Sequence, residues 1–227
     1  MQKTTPPDTK KVDVAYEKLK AMITTGQLSP GRHLYVHGLA TQMRIGLTPV
    51  REALMRLEVE ELIGSTRNRG FYVRRIDPNE SIELYDFTSL VLKTSIQANL
   101  RAFSSVTTRQ PVQDQETRMP VDQRQAARSQ GQALEMLYRS IACLGNNRQY
   151  VEAIQHFNDR TRLIRVVSVE LAGPSRIADD TARLIAALES GHVGKAIVSV
   201  QKHFAKFQRL VPDAVKEILM VSNLSRF

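Results

Sequence analysis

The sequence lacks the features that define several large protein classes. Cys143 is the only cysteine among 227 residues, which excludes a disulfide within the chain and favours a reducing compartment. No apolar run approaches the ~20 residues that a membrane-spanning helix needs, and the first residues do not resemble a secretory signal. We therefore expect a cytoplasmic protein without a membrane partner.

Motifs that carry enzymatic chemistry are equally scarce. The sequence shows no Ser/His/Asp set, no glycine-rich loop that would cradle a phosphate and no paired-histidine motif. We predict that the chain is not an enzyme and uses no cofactor. The alternative of an active site within the C-terminal helices would require substrate turnover that depends on Arg139 or His203.

Positive charge is concentrated in the first third of the chain. The net charge is +9, and residues 1–75 carry 13 Lys/Arg against 7 Asp/Glu, whereas the other 152 residues carry 19 against 16. Binding to a polyphosphate requires such a basic region. Charge alone fits a basic protein without a nucleic-acid partner equally well.

The segment from Gly46 to Leu62 predicts a helix with one buried face. We expect Thr48 to be the N-cap and Pro49 to occupy the first helical position, where its missing N–H costs nothing. Arg51 then lies near the exposed start of the helix, where a guanidinium can bond phosphates or a guanine. The apolar residues that recur at helical spacing are Val50, Leu54, Leu57 and Leu62.

The segments on either side predict a winged helix-turn-helix. A helix over 12–25 and a short helix over 38–44 precede the segment, with a Pro-Gly turn between them. Two β-prone runs over 63–66 and 70–73 follow it, joined by the basic tip Arg67-Asn68-Arg69. The predicted fold class is mainly α, with a small β-hairpin wing in the N-terminal domain.

These motifs resemble the DNA-binding domain of the GntR superfamily of bacterial transcription regulators over residues 12–75. The resemblance rests on Leu28-x-Pro30-Gly31-x-x-Leu34, Thr48-Pro49-Val50-Arg51-Glu52-Ala53-Leu54 and Arg69-Gly70-Phe71-x-Val73. It implies a recognition helix in the major groove of double-stranded operator DNA and a wing that reaches the minor groove. The implied DNA-binding residues are His37, Arg44, Thr48, Pro49, Arg51, Arg67, Arg69 and Gly70. Leu47 stands where the family usually has Arg, so we expect a different operator.

The rest of the chain predicts an antiparallel all-helical bundle. Residues 1–11 are expected to form a flexible tail, residues 76–80 a linker, and residues 81–227 the helical domain. No strand is evident in this domain, and residues 104–121 read as a loop. The predicted helices cover 81–103, 123–144, 148–171 and 192–210, with a final turn over 212–219. One more predicted helix, capped by Ser175 or Asp179, ends at Glu189.

The order of these helices resembles the effector-binding and dimerisation domain, of FCD type, in the FadR-like branch of GntR regulators. The matching features are Gly145-Asn146 after Tyr138-Arg139, Ala187-Leu188-x-x-Gly191, and His203-Phe204. The resemblance implies a homodimer on a palindromic operator, repression as the commoner mode, and a small, anionic metabolite as effector. A ligand-independent architectural DNA-binding protein is the alternative.

The residues at the family's pocket positions depart from its pattern. Many members hold a divalent metal there with one Asp and three His, and the corresponding residues here are Glu135, Arg139, Thr181 and His203. A guanidinium cannot donate a lone pair, so we predict that no metal is bound. With Thr88, these four are the predicted effector-binding residues. Arg139 either clamps an anionic ligand or pairs with Glu135 four residues away.

Overall fold

The computed structural model describes residues 7–67, 70–104 and 123–224. The described residues fall into two compact units, one reaching Ile76 and including the residues from Ser222, the other running from Asp77 to Val221. The chain is mostly helical and has one small antiparallel sheet. This architecture confirms the predicted fold class.

The N-terminal unit contains three helices and three strands. Its sheet has the strand order β1-β3-β2, and β2 and β3 form the predicted hairpin, with Ile63 opposite Val73. The first strand has only two residues, too few to produce a period-2 pattern, and was not predicted. The elements are α1 Pro7–Thr24, β1 His33–Leu34, α2 Val36–Met43, α3 Leu47–Val59, β2 Ile63–Thr66 and β3 Gly70–Val73.

A compact core holds α1 against α3. Leu19 of α1 and Leu54 and Leu57 of α3 are fully buried within it. At the edge of this core, Tyr16 Oη donates to Glu60 Oε1 at 2.5 Å, and Lys20 Nζ bonds Glu60 Oε2 at 2.8 Å. Because α3 is fixed along this face, its opposite face is left for solvent or for a partner.

All three predicted helix starts in this unit are wrong, and α2 begins at Val36 rather than at residue 38. The first helix begins at Pro7 rather than at residue 12, so the expected tail over 1–11 is partly helical; residues 1–6 lie outside the described part. The third helix begins at Leu47, and its N-cap is Gly46 rather than Thr48. Pro49 is therefore the third helical residue. It is tolerated there because N–H groups in the first turn have no intrahelical acceptor.

The second unit is helical throughout its described residues. Asp77 caps α4 by accepting hydrogen bonds from the N–H groups of Asn79 and Glu80, and Asn147 caps α6 by accepting one from the N–H of Gln149. The elements are α4 Pro78–Asn99, a 3-10 turn Leu100–Ala102, α5 Gln123–Cys143, α6 Arg148–Ala172, α7 Pro174–Glu189 and α8 Val193–Leu224.

The predicted break before Pro212 and the predicted cap of α7 are wrong. The last helix continues through Pro212 because its buried face, with Phe207, Val211 and Val215, is unbroken on both sides of the proline. Gly173, not Ser175 or Asp179, precedes the first residue of α7. Most of the predicted loop over 104–121 lies outside the described residues. In the part of the chain that is described, no helix is both long and apolar enough to cross a membrane.

Candidate nucleic-acid interface and helical interior

One face of α3 carries exposed side chains at the start of the helix. Leu47 and Thr48 share this face with Arg51 because they lie four and three residues before it, while Val50 and Leu54 are buried on the other side. No side chain caps the helix at Gly46. The N–H groups of its first turn therefore point outward beside a hydroxyl and a guanidinium, an arrangement suited to phosphate binding.

Arg51 differs from the neighbouring arginine of the same helix in having no partner. Arg56 Nη1 bonds Asp13 Oδ1 of α1 at 2.8 Å, so its charge is neutralised within the unit. Arg51 is exposed and makes no hydrogen bond or ion pair with any residue that the structure describes. A cation held on a rigid helix without a protein partner is available to an external anion.

The other exposed residues predicted to bind DNA lie at the two ends of α2 and on the wing. His37, Arg44 and Arg67 are exposed, and Arg44 ends α2 in the left-handed conformation, with φ of 56°. Gly70 begins β3 at φ of 76°, a backbone conformation that favours glycine, and a Cβ there would meet open space. Arg69 lies outside the described residues.

Pro49 is the exception among these residues. It is buried, so its ring shapes the first turn of α3 instead of offering a surface to DNA.

Leu47 and Tyr35 were not predicted as site residues but are exposed, Tyr35 to 77%. Leu47 directly precedes the predicted N-cap Thr48, and Tyr35 lies three residues before the predicted helix over 38–44; the buried-face pattern covers neither position.

Aromatic rings fill the interior of the helical unit around a single histidine. Tyr138 of α5 and His203 of α8 share a hydrogen bond of 2.6 Å between Oη and Nε2. Both residues are buried. The rings packed together here are Tyr85, Tyr138, Phe157, His203, Phe204 and Phe207.

Burial keeps this hydrogen-bonded pair neutral. Loss of solvation lowers the pKa of His203 to about 4, with Asp180 opposing the shift and Lys206 and Arg165 adding to it. Burial likewise raises the pKa of Tyr138 well above its usual value. At neutral pH, therefore, His203 is an uncharged imidazole and Tyr138 an uncharged phenol.

We expect this histidine to make folding sensitive to acid. Because its folded pKa lies below the unfolded value of about 6.5, its contribution is complete above that pH and is lost as pH falls toward 4. The melting temperature of His203→Gln should therefore fall less steeply between pH 7 and 4.5 than that of the native chain. His192→Gln, which changes an exposed histidine, is the control. Equal slopes for the native chain and His203→Gln would contradict the assignment.

A charged cluster lies beside the aromatic interior. Arg165 of α6 is fully buried, and its Nη2 bonds Glu135 Oε1 at 2.5 Å. Arg162 bonds both oxygens of the same carboxylate, at 2.9 and 2.6 Å. Two guanidinium groups thus share one carboxylate, and the cluster carries one excess positive charge.

Several polar atoms around this cluster lack partners. Arg165 Nε and Thr88 Oγ1 are buried and make no hydrogen bond within the described structure. The Arg165 charge also acts on the Tyr85 hydroxyl, whose pKa is raised to about 12 mainly by burial, so the two groups lie near each other. Unpaired buried donors beside excess positive charge favour an anionic ligand.

The structure contradicts the predicted pair of Arg139 with Glu135 and places Arg139 away from the interior of the helical unit. Arg139 is exposed, and Glu135 pairs with Arg162 and Arg165 instead. The inward position belongs to Tyr138, one residue earlier, and one residue corresponds to ~100° around a helix with 3.6 residues per turn.

Thr181 is buried but satisfied, because its hydroxyl donates to Ile177 O and accepts from Gln130 Nε2 at 3.0 Å.

The donor set of the interior does not fit a divalent metal. At the four positions of the family's metal ligands, the imidazole of His203 is bonded to Tyr138 and the carboxylate of Glu135 is bonded to two arginines. Nowhere in the described ranges do three or more His, Cys, Asp or Glu side chains group as metal ligands. The absence of a bound metal stays a prediction.

The N-terminal unit has the elements of a winged helix-turn-helix, a DNA-binding class of fold. Residues 11–73 match the family described as bacterial regulatory proteins, gntR family. The Nta operon transcriptional regulator of Aminobacter aminovorans is 23% identical over 210 residues, 87% of this chain and 94% of that protein. The family match covers the winged helix-turn-helix domain, and the similarity to a transcriptional regulator extends over the helical C-terminal domain that follows it.

Solved structures show the same fold over nearly the whole chain. A structure described as a transcriptional regulator GntR from Rhodococcus sp. RHA1 has a TM-score of 0.62 at 19% identity, covering 93% of this chain and 98% of its own. McbR/YncC of E. coli has a TM-score of 0.57 at 17% identity, covering 96% and 99%. At these identities the similarity shows the fold and identifies neither a ligand nor an operator.

Proposed function

We propose that this regulator is a repressor that binds a palindromic operator as a homodimer and responds to a small anionic effector. The observation that carries the DNA-binding part is the unpaired Arg51 beside Thr48 at the exposed start of α3. The boundary between the two units at Ile76 and Asp77 supports a DNA-binding domain that ends near residue 75 and a helical effector-binding and dimerisation domain that follows it.

In this proposal the start of α3 enters the major groove. Arg51 bonds the acceptor edge of a guanine with two donors, while Thr48 and the first-turn N–H groups contact phosphate. Leu47, on the same face, offers an apolar surface to a thymine methyl group. Arg67, Arg69 and Gly70 of the wing, together with His37 and Arg44, contact the backbone or the minor groove.

Dimerisation follows from the small surface that one recognition helix can read. A single helix contacts only a few base pairs, whereas two helices about 34 Å apart read two half-sites of a palindrome. The helical domain then has to hold two DNA-binding domains in one arrangement. An effector regulates binding only if its affinity differs between that arrangement and another.

The effector site that we propose is the interior cluster around Arg165. Its excess positive charge and its unpaired Nε suit a carboxylate, which would also lie near Tyr85 and Thr88. Of the residues predicted to bind the effector, Glu135 and His203 lie in or beside this cluster, and Arg165 replaces Arg139. The name of the Aminobacter relative, an operon transcriptional regulator, supports control of an operon here as well.

Selection of bound duplexes from a random pool tests the DNA-binding proposal. We expect the full chain to enrich an inverted repeat with half-sites centred about one helical turn apart, and to sediment as a dimer on that site. Enrichment of a single half-site, or of no sequence at all, would contradict the proposal. The second of these results is the one that an architectural DNA-binding protein predicts.

A thermal-shift screen of monocarboxylates tests the effector proposal. A ligand that binds only the folded state raises the melting temperature, and we expect the active compound to change operator affinity as well. Arg165→Lys keeps the charge but loses the planar fork, and should abolish the shift. If no carboxylate changes either quantity, the ligand-independent alternative is favoured.

A further inference from the structure

The outer side of the helical unit contains a groove that the proposed function does not use. It lies between α7 and α8 and has a volume of about 670 Å³. This is within the range of about 300–1,000 Å³ that is usual for small-molecule sites. His203 contributes to its lining, and the remaining lining residues are separate from the cluster around Arg165.

The groove carries a large excess of positive charge. Arg183, Lys195, Lys202 and Lys206 line it, and Asp180 is the only acidic residue of the lining. Asp180 is already paired with both Arg183 and Lys206. Burial raises the pKa of Asp180, but the two ion pairs lower it by more, so the pKa lies below its usual value. The charge of Asp180 therefore persists well into the acid range.

Two of the lysines have no such partner. Lys195 and Lys202 are exposed in α8 and form no hydrogen bond or ion pair with any residue in the described ranges. They are seven residues apart on one face of the helix, so their backbones are about 10 Å apart along its axis. A single carboxylate would contact one of them, whereas an elongated anion with several charges could contact both.

We propose that this groove binds a multiply charged small anion, such as a tricarboxylate or a phosphorylated metabolite. The concave shape favours a small molecule over a nucleic acid, whose phosphates are usually met by side chains on an open face. The two unpaired lysines supply the main attraction, and Arg183 and Lys206 add to it. Binding here is separate from a carboxylate at Arg165.

Calorimetric titration of the full chain with citrate and with pyrophosphate tests this inference, at constant ionic strength and with acetate as the monovalent control. We expect citrate or pyrophosphate to bind in the groove and acetate not to bind there. The paired substitution Lys195→Ala and Lys202→Ala should weaken binding at least tenfold. Lys216→Ala, an exposed lysine of the same helix outside the groove, should leave it unchanged. The stronger of the two ligands identifies carboxylate or phosphate as the preferred group.

Three results would overturn the inference. If Lys216→Ala weakens citrate or pyrophosphate binding as much as the paired lysine substitution does, the anion is attracted by the net charge of the protein alone. Loss of citrate and pyrophosphate binding in Arg165→Lys, with binding retained in the paired lysine variant, would place the anion in the interior. Loss of operator affinity in the paired lysine variant, without any loss of citrate or pyrophosphate binding, would make the groove a DNA contact.

Discussion

Substitution of Glu135 by alanine is expected to lower the free energy of unfolding by about 3–5 kcal/mol, the usual cost of removing one partner of a buried ion pair. Arg165 has no exposed side-chain surface, and Glu135 is the acidic partner of its ion pair. Without this carboxylate, the buried guanidinium would lie beside Arg162 with no compensating charge. Denaturant unfolding followed by circular dichroism measures the loss.

The exposed pair of Arg148 and Glu152 provides the matched control for this prediction. Its side chains are 88% and 49% exposed, so Glu152→Ala should cost less than about 1 kcal/mol. Glu135→Gln serves as a second variant if the alanine variant fails to fold. If Glu135→Ala or Glu135→Gln is no more destabilising than Glu152→Ala, the interior cluster is solvated and the assignment is wrong.

The Glu135→Ala variant also tests the proposed effector site. An added small carboxylate such as acetate should recover part of the lost stability in Glu135→Ala, because it can occupy the space beside Arg165 and restore a negative charge. Glu152→Ala should show no recovery. Recovery would identify Arg165 as an anion-binding group; its absence would remove the principal support for a carboxylate effector in the interior.

The sequence predicted the N-terminal elements well because their signals are local. The Pro-Gly turn, the buried leucines of α3 and the two β-prone runs each lie within a few residues, and the structure confirms the hairpin of β2 and β3. Element ends were predicted less well. Thr48 is a better capping residue than Gly46, but Gly46 occupies the extended position before the helix.

The interior cluster was only partly predictable because it depends on contacts distant in sequence. Glu135, predicted as a pocket residue, lies in this cluster, yet its partner Arg165 is 30 residues away on another helix. Nothing local in the sequence distinguishes Arg165 from Arg162 or Arg139. Tyr138 and Arg139 adjoin in sequence but point in directions about 100° apart on the helix. An uncertainty of one residue therefore exchanged a buried phenol for an exposed guanidinium.

Removal of the Arg51 side chain is expected to reduce specific operator affinity by about 1–3 kcal/mol, or roughly 5- to 150-fold. If this residue reads a guanine, the loss should be large on the selected operator and small on a duplex in which that G·C pair is replaced by A·T. Equilibrium binding of Arg51→Ala to both duplexes, measured at several salt concentrations, separates lost base recognition from lost charge.

Two other arginines of the same domain make this prediction specific. Arg56 is paired with Asp13, so Arg56→Ala should leave the sequence preference unchanged. Arg67, exposed at the end of β2, should contact phosphate; its alanine variant should weaken both duplexes alike and reduce the salt dependence by about one ion. If Arg51→Ala behaves like Arg67→Ala, α3 lies along the DNA backbone. Only the combination of a lost preference and a nearly unchanged salt dependence supports its insertion into the major groove.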